Sequence, residues 1–240
     1  MKFQKLNISG VDAQLSIFEK ADCPTFVYSV LSFNDNVFDL KTCFEYLKIA
    51  FDNISEKYGC SPVFCGCKLS DSVNNYEAVK KFISNTLNCT ADYVEQPPLS
   101  GGKIALIILW VSKVYFGNDG LNYFEFDGVK QYFTSHSGDV YDSYQSTHQL
   151  LDILNNDLLS RGGNIMDNCL RTWFYVRDID YNYAGLIKSR ESFFASCGMN
   201  KSGHFTASTG IGGRNAINNS SVTLTSRFAT GLDSNKMKIL

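Results

Sequence analysis

Apolar and polar residues alternate along the chain with two periods, and the change from one to the other marks the elements. Over 39–58 the apolar positions Leu40, Cys43, Phe44, Leu47, Phe51, Ile54 and Tyr58 recur every three or four residues, the spacing of one helix face. Asp39 stands where an N-cap belongs. Pro62 precedes a strand-like segment, 63–69, and Ser70-Asp71-Ser72 can end it and open a second helix that uses Tyr76, Val79, Phe82, Ile83 and Leu87. A loop over 96–102 leads to the apolar run Ile104–Val111, read as a buried strand, and 26–33 supplies an opening strand. The first half therefore reads strand, helix, strand, helix, strand.

The second half repeats this order with stronger signals. Segments 115–126 and 130–135 read as two strands joined by a tight turn at Asp127-Gly128. Between 141 and 160, Leu150, Leu151, Ile153, Leu154, Leu158 and Leu159 form an apolar stripe that Arg161-Gly162-Gly163 terminates. In the strand Cys169–Val176, alternation puts Arg171, Trp173, Tyr175 and Arg177 on one face and Leu170, Thr172, Phe174 and Val176 on the other. A helix over 181–197 comes next, with Gly198 as its stop, and then strands over 205–211 and 221–224.

Composition narrows the possibilities further. In 240 residues, 44% are hydrophobic and 19% charged, which places the chain among globular proteins long enough for two modules of about 120 residues. Lys+Arg 22 against Asp+Glu 24 leaves a net charge of −2, no electrostatic footprint for nucleic acid or an anionic membrane. The longest apolar run is far short of the roughly 20 residues of a membrane helix, and no apolar signal-peptide core succeeds the first residues. Eight cysteines are read as reduced thiols, and the expected location is cytoplasmic. Cys60, Cys65 and Cys67 lack the paired spacing of structural zinc sites and are read as strand cysteines, so no metal and no cofactor is expected.

Several residues carry candidate chemistry. Gly210-Ile211-Gly212-Gly213-Arg214 has the look of a phosphate cradle, but the residues after Arg214 predict a loop in place of a helix N-terminus, so the segment is read as a strand-end turn. Arg171 and Arg177 flank Trp173 and Tyr175, which can stack and pair with an anionic ring compound, or the arginines form an interfacial salt bridge or a solvated strand end. His136, in the polar loop before a helix and near Ser135, is a candidate acid or base. Adjacent strand side chains diverge, so Ser135 and His136 do not form a nucleophile and base pair. His148 is read as solvated, and His204 as able to line a cleft.

The strand Cys169–Val176 with Arg177, Asp178 and Ile179, the helix holding Lys188-Ser189-Arg190 and Phe193-Phe194, Gly198, and then Ala207-Ser208-Thr209-Gly210-Ile211-Gly212-Gly213 resemble the Rid/YjgF superfamily. The chain looks most similar to its chorismatase-like, multi-domain branch. The likeness covers about 129–230 and is an order of elements only over 1–112. It implies an α+β fold of tandem chorismate-mutase-like domains, 1–112 and 113–240, each a mixed sheet with two helices packed on one face. It also implies trimers or pseudo-trimers that bind small carboxylated metabolites in clefts between domains or subunits, with His136 as the catalytic candidate and Ser135, Arg171, Tyr175, Ser208, Thr209 and Arg214 as binding candidates.

The chain departs from this pattern in two places. Where Rid deaminases carry a carboxylate-holding arginine, Ser208 stands, and 222–227 lacks the acid their last strand brings. Two functional readings result, a hydrolase of an imine, enamine or chorismate-like acid and a non-catalytic oligomeric binding module. An endoribonuclease is the weakest. The superfamily builds clefts by threes and this chain supplies two modules, so a further copy or sequence beyond Leu240 is expected to complete the arrangement.

Overall fold

The computed structural model describes residues 1–33, 39–117, 120–199, 206–216 and 220–232. The chain forms two compact units, Met1–Phe126 and Asp127–Leu240. His204 and Phe205 lie outside the described residues.

The first unit contains β1 (Lys2–Ile8), β2 (Val11–Phe18), β3 (Phe26–Ser32), α1 (Leu40–Tyr58), β4 (Ser61–Leu69), α2 (Ser72–Thr86), β5 (Thr90–Glu95), β6 (Ile104–Val111), β7 (Tyr115–Phe116) and β8 (Asn122–Phe126). Its six main strands run in the order β1-β2-β3-β6-β4-β5. Every neighbouring pair is antiparallel except β4 and β5, which are parallel. Asp39 caps α1 by accepting from the Thr42 N–H, and Gly59, at φ 59°, ends it in the left-handed conformation. Asp71 caps α2 in the same manner. The apolar stripe of α1 packs with Val79 and Ile83 of α2 on a single face of the sheet, against Leu15, Val27, Leu31, Leu69, Leu106 and Trp110. Phe44 and Phe82 stack between the two helices at 4.2 Å.

Two parts of this unit are absent from the reading of the sequence, although β2 alternates apolar and polar residues. The β1–β2 hairpin turns at Ser9-Gly10, both at positive φ, and β5 is short and pairs in parallel. The segment 115–126 is interrupted, so that β7 and β8 are separate strands paired with each other. Cys65 and Cys67 lie buried on the helix-covered face of β4 with their Sγ atoms 3.7 Å apart, and burial pushes the Cys65 thiol well up. Among the described residues no three His, Cys, Asp or Glu side chains are grouped to hold a metal ion.

The second unit contains β9 (Val129–Ser137), α3 (Ser143–Leu159), a short α4 (Ile165–Asn168), β10 (Cys169–Val176), α5 (Ile179–Ser196), β11 (Ala207–Gly212), β12 (Arg214–Asn215) and β13 (Val222–Thr230). It begins with Asp127 and Gly128 at φ 52° and 76°, the primed turn their sequence predicts. Its strands lie in the order β11-β10-β13-β9, with β10 parallel to β11 and the other pairs antiparallel. Helix α3 lies over β13 and β9, and α5 over β10 and β11. Leu150, Leu154, Leu158, Leu186 and Phe193 of the helices are buried, as are Phe174, Val176, Leu224 and Phe228 of the strands.

Gly210 and Gly212 belong to this packing, and Gly213 alone stands at the strand end, between β11 and β12. Gly210 and Gly212 are in β11, facing α5; a Cβ on Gly210 would lie 2.9 Å from Tyr183 Cε2, and one on Gly212 3.4 Å from Ile179 Cγ2. Glycine lets the helix approach the strand. Each unit is thus an α+β layer of one mixed sheet with two long helices on one face. Among the described residues no helix is long and apolar enough to cross a membrane.

Candidate functional site

The face of the second sheet turned away from α3 and α5 is built in three rows, because residues in cross-strand register share a face at spacings of about 5 Å. Phe133, Arg227, Arg171 and Ala207 form the first row, from β9 through β13 and β10 to β11. Ser135, Thr225, Trp173 and Thr209 form the second. Ser137, Thr223, Tyr175 and Ile211 form the third. This face combines two guanidinium groups, aromatic rings and a line of hydroxyls. None of its positions carries a carboxylate.

Hydrogen bonds fix much of the surface. Ser135 Oγ pairs with Thr225 Oγ1 and Ser137 Oγ with Thr223 Oγ1, both at 3.2 Å. Arg227 donates from Nε and Nη2 to Gln131 Oε1 and lies over the Phe133 ring, and its burial lowers its pKa by opposing the charged form. Arg171 extends along β10 over Trp173, its Cζ 5.4 Å from the ring centroid, and donates from Nη2 to Thr209 Oγ1 at 2.6 Å. Its Nε is buried and meets no hydrogen-bond partner among the described residues.

Four of the sequence candidates, Ser135, Arg171, Tyr175 and Thr209, therefore share this face, with Tyr175 buried and the other three half-buried. His136 does not. It lies within β9, paired with Leu224 of β13, and not in a loop, and it points to the helix side, where Nε2 lies 2.9 Å from Asp157 Oδ2 of α3. Ser208 is also on the helix side and accepts from Arg190 Nη1 of α5 at 3.2 Å. Arg214, half-buried, is on β12, just after Gly213, whose N–H bonds the Val176 carbonyl. His148 pairs with Asp152 one turn along α3, in an exposed setting.

Sequence reasoning leaves Arg227, Gln131, Thr223, Thr225 and Ser137 out of the site. Alternation within 222–227 puts Thr223, Thr225 and Arg227 on one face, but assigning that face to Arg171 requires the register between β10 and β13. The sequence does not contain it.

No protein-family model and no curated protein sequence matches the chain. Among solved structures, chorismatase is similar over 94% of this chain and 79% of its own, with a TM-score of 0.64 at 10% identity. A YjgF-family protein from Neisseria meningitidis aligns over 50% of this chain and 98% of its own, with TM-score 0.40 and 13% identity. TdcF from E. coli, solved with bound serine, aligns over 44% of this chain and 84% of its own, with TM-score 0.36 and 10% identity. The chain has the tandem α+β fold of chorismatase, which is the fold that its resemblance to the Rid/YjgF superfamily implies.

Proposed function

We propose that the chain is a Rid/YjgF-like protein that binds a small carboxylated metabolite on the row-built face of the second sheet, with Arg171 as the anchor. The observation that carries this reading is the state of the Arg171 guanidinium. One nitrogen is tied to Thr209, the Cζ lies over the Trp173 ring, and the buried Nε–H has no acceptor among the described residues. An unsatisfied buried donor costs about 1–3 kcal/mol, and a ligand oxygen removes that cost. A carboxylate suits it because its two oxygens can meet two guanidinium N–H groups in one plane.

The face favours binding over hydrolysis. Its rows supply cations and hydroxyls but no acid or imidazole, while His136 and Asp157 stand on the other side of the sheet. A general base must come within hydrogen-bond reach of the proton it takes. The non-catalytic binding module is the better supported form of the proposal.

Isothermal calorimetry with pyruvate, benzoate and chorismate, on the wild-type chain and on Arg171→Met, tests it. A charge-assisted hydrogen bond contributes about 1.5–3 kcal/mol, so Arg171→Met is expected to weaken the bound acid roughly ten- to hundredfold. Equal affinity in the two proteins, or no binding of any of the three acids, overturns the proposal. Release of pyruvate from chorismate would replace the binding module with the hydrolase.

A further inference from the structure

The geometry around Arg171 assigns a second task to its neighbours. We propose that Thr209 and Trp173 are positioning residues that hold the Arg171 guanidinium in one orientation, and that this orientation makes the site prefer planar carboxylates to tetrahedral oxyanions. The inference rests on the proposed binding function and goes further by naming what sets the selectivity.

Arg171 and Thr209 are not opposite each other. Arg171 pairs with Ala207, and Thr209 with Trp173, so the arginine side chain must run along β10 across the indole to reach the threonine hydroxyl on the neighbouring strand. Two constraints act on the guanidinium at once. The Trp173 ring lies beneath it, with the Cζ 5.4 Å from the centroid, and Thr209 Oγ1 holds Nη2 at 2.6 Å. A free arginine side chain has considerable rotamer freedom, and a fork held at one corner and lying over a ring has little. The donors left to a ligand then lie in the guanidinium plane. Both oxygens of a carboxylate fit in that plane, whereas the third oxygen of a sulfonate is forced out of it, toward the indole or away from any donor.

The sequence marks Thr209 as a direct ligand contact. In the fold its hydroxyl oxygen is engaged by Arg171, so it acts through the arginine. Across the same row, Ser135 and Thr225 already bond to each other. Arg171, and not a spread of hydroxyl contacts, is left to discriminate between anion shapes.

Benzoate and benzenesulfonate carry the same ring and the same single charge and differ in the shape of the anion, so their affinity ratio reads the orientation directly. Calorimetry on wild type, Thr209→Val, Thr209→Ser and Arg171→Met is the experiment. Wild type and Thr209→Ser are expected to prefer benzoate by about tenfold, the size of one well-placed hydrogen bond. Thr209→Val, which keeps the side-chain volume but not the acceptor, is expected to lose that ratio. A Thr209→Val ratio equal to that of wild type, with Arg171→Met still impaired, overturns the positioning role and leaves the binding reading standing. Arg171→Met binding both acids as wild type does overturns the binding reading itself. An unfolded Thr209→Val is detected by circular dichroism, and Thr209→Ser then decides: loss of the ratio there, with the hydroxyl kept, counts against the proposal.

Discussion

Single residues show how little is needed to define an end or a face in this chain. Asp39 accepts from the Thr42 N–H at 2.8 Å, and this bond holds its carboxyl below the ordinary carboxylate value. With the folded pKa below the unfolded one, the cap's contribution is complete above the unfolded value and is lost as pH falls through the folded one. Asp39→Asn keeps an acceptor without the titration, so its thermal midpoint should fall less steeply with acid than that of wild type. Parallel acid limbs in melting curves would show that the cap does not contribute. Arg171 illustrates the opposite case, a residue whose type is legible while its partners are not. Its alternation with Trp173 and Tyr175 predicts a shared face, but Thr209 and Arg227 join it only through strand register.

Among the elements, close approach of helix to helix and helix to strand sets the geometry of the second unit. Gly185 of α5 faces Ser143 and the backbone of Tyr144 in α3; an added Cβ would meet the Ser143 hydroxyl first and lie 3.1 Å from the Tyr144 nitrogen. Alanine gains about 1 kcal/mol of helix propensity over glycine, while overpacking a buried contact costs about 1–3 kcal/mol. Since backbone is part of the obstacle, the steric term should win, and Gly185→Ala should lower stability in urea unfolding. Adding Ser143→Ala should recover part of the loss, because the two sites are in contact. A Gly185→Ala protein as stable as wild type would mean that the helices can separate freely.

The helices are legible at this scale because three of them start at aspartates whose side chains accept from the third residue on, Asp39, Asp71 and Asp142. The last strand is legible only at its start, 221–224. Thr223, Thr225 and Ser226 are buried with hydroxyl partners on β9, so a segment of polar composition sits in the middle of the sheet and extends to Thr230. Hydropathy reads burial from apolar side chains and loses the rest of a strand whose buried groups bond to one another. The β1–β2 hairpin has its signal in one strand only: β2 alternates the buried Val11, Ala13, Leu15 and Ile17 with polar residues, while β1 alternates between half-buried and exposed residues, a weak contrast.

At the scale of the whole molecule, two α+β layers succeed each other along the chain, and the candidate site belongs to the second. The fold has a clear signature in the sequence, since the order of elements and the segment from Cys169 to Gly213 carry the resemblance. The site is half legible, because its anchor is visible and its selectivity depends on register. The chain contains two tryptophans. Trp110 is buried in the core of the first unit, where its Nε1 donates to Ser29, and Trp173 lies under Arg171. Indole fluorescence therefore reports the site. The most direct test is to titrate wild type and Arg171→Met with pyruvate, benzoate and chorismate while following tryptophan emission, with calorimetry in parallel. Saturable change in emission with at least one acid, shifted roughly ten- to hundredfold higher in acid concentration in Arg171→Met, is the predicted result. An acid that binds by calorimetry with unchanged emission and equal affinity in both proteins would contradict the site, as would the failure of every acid to bind.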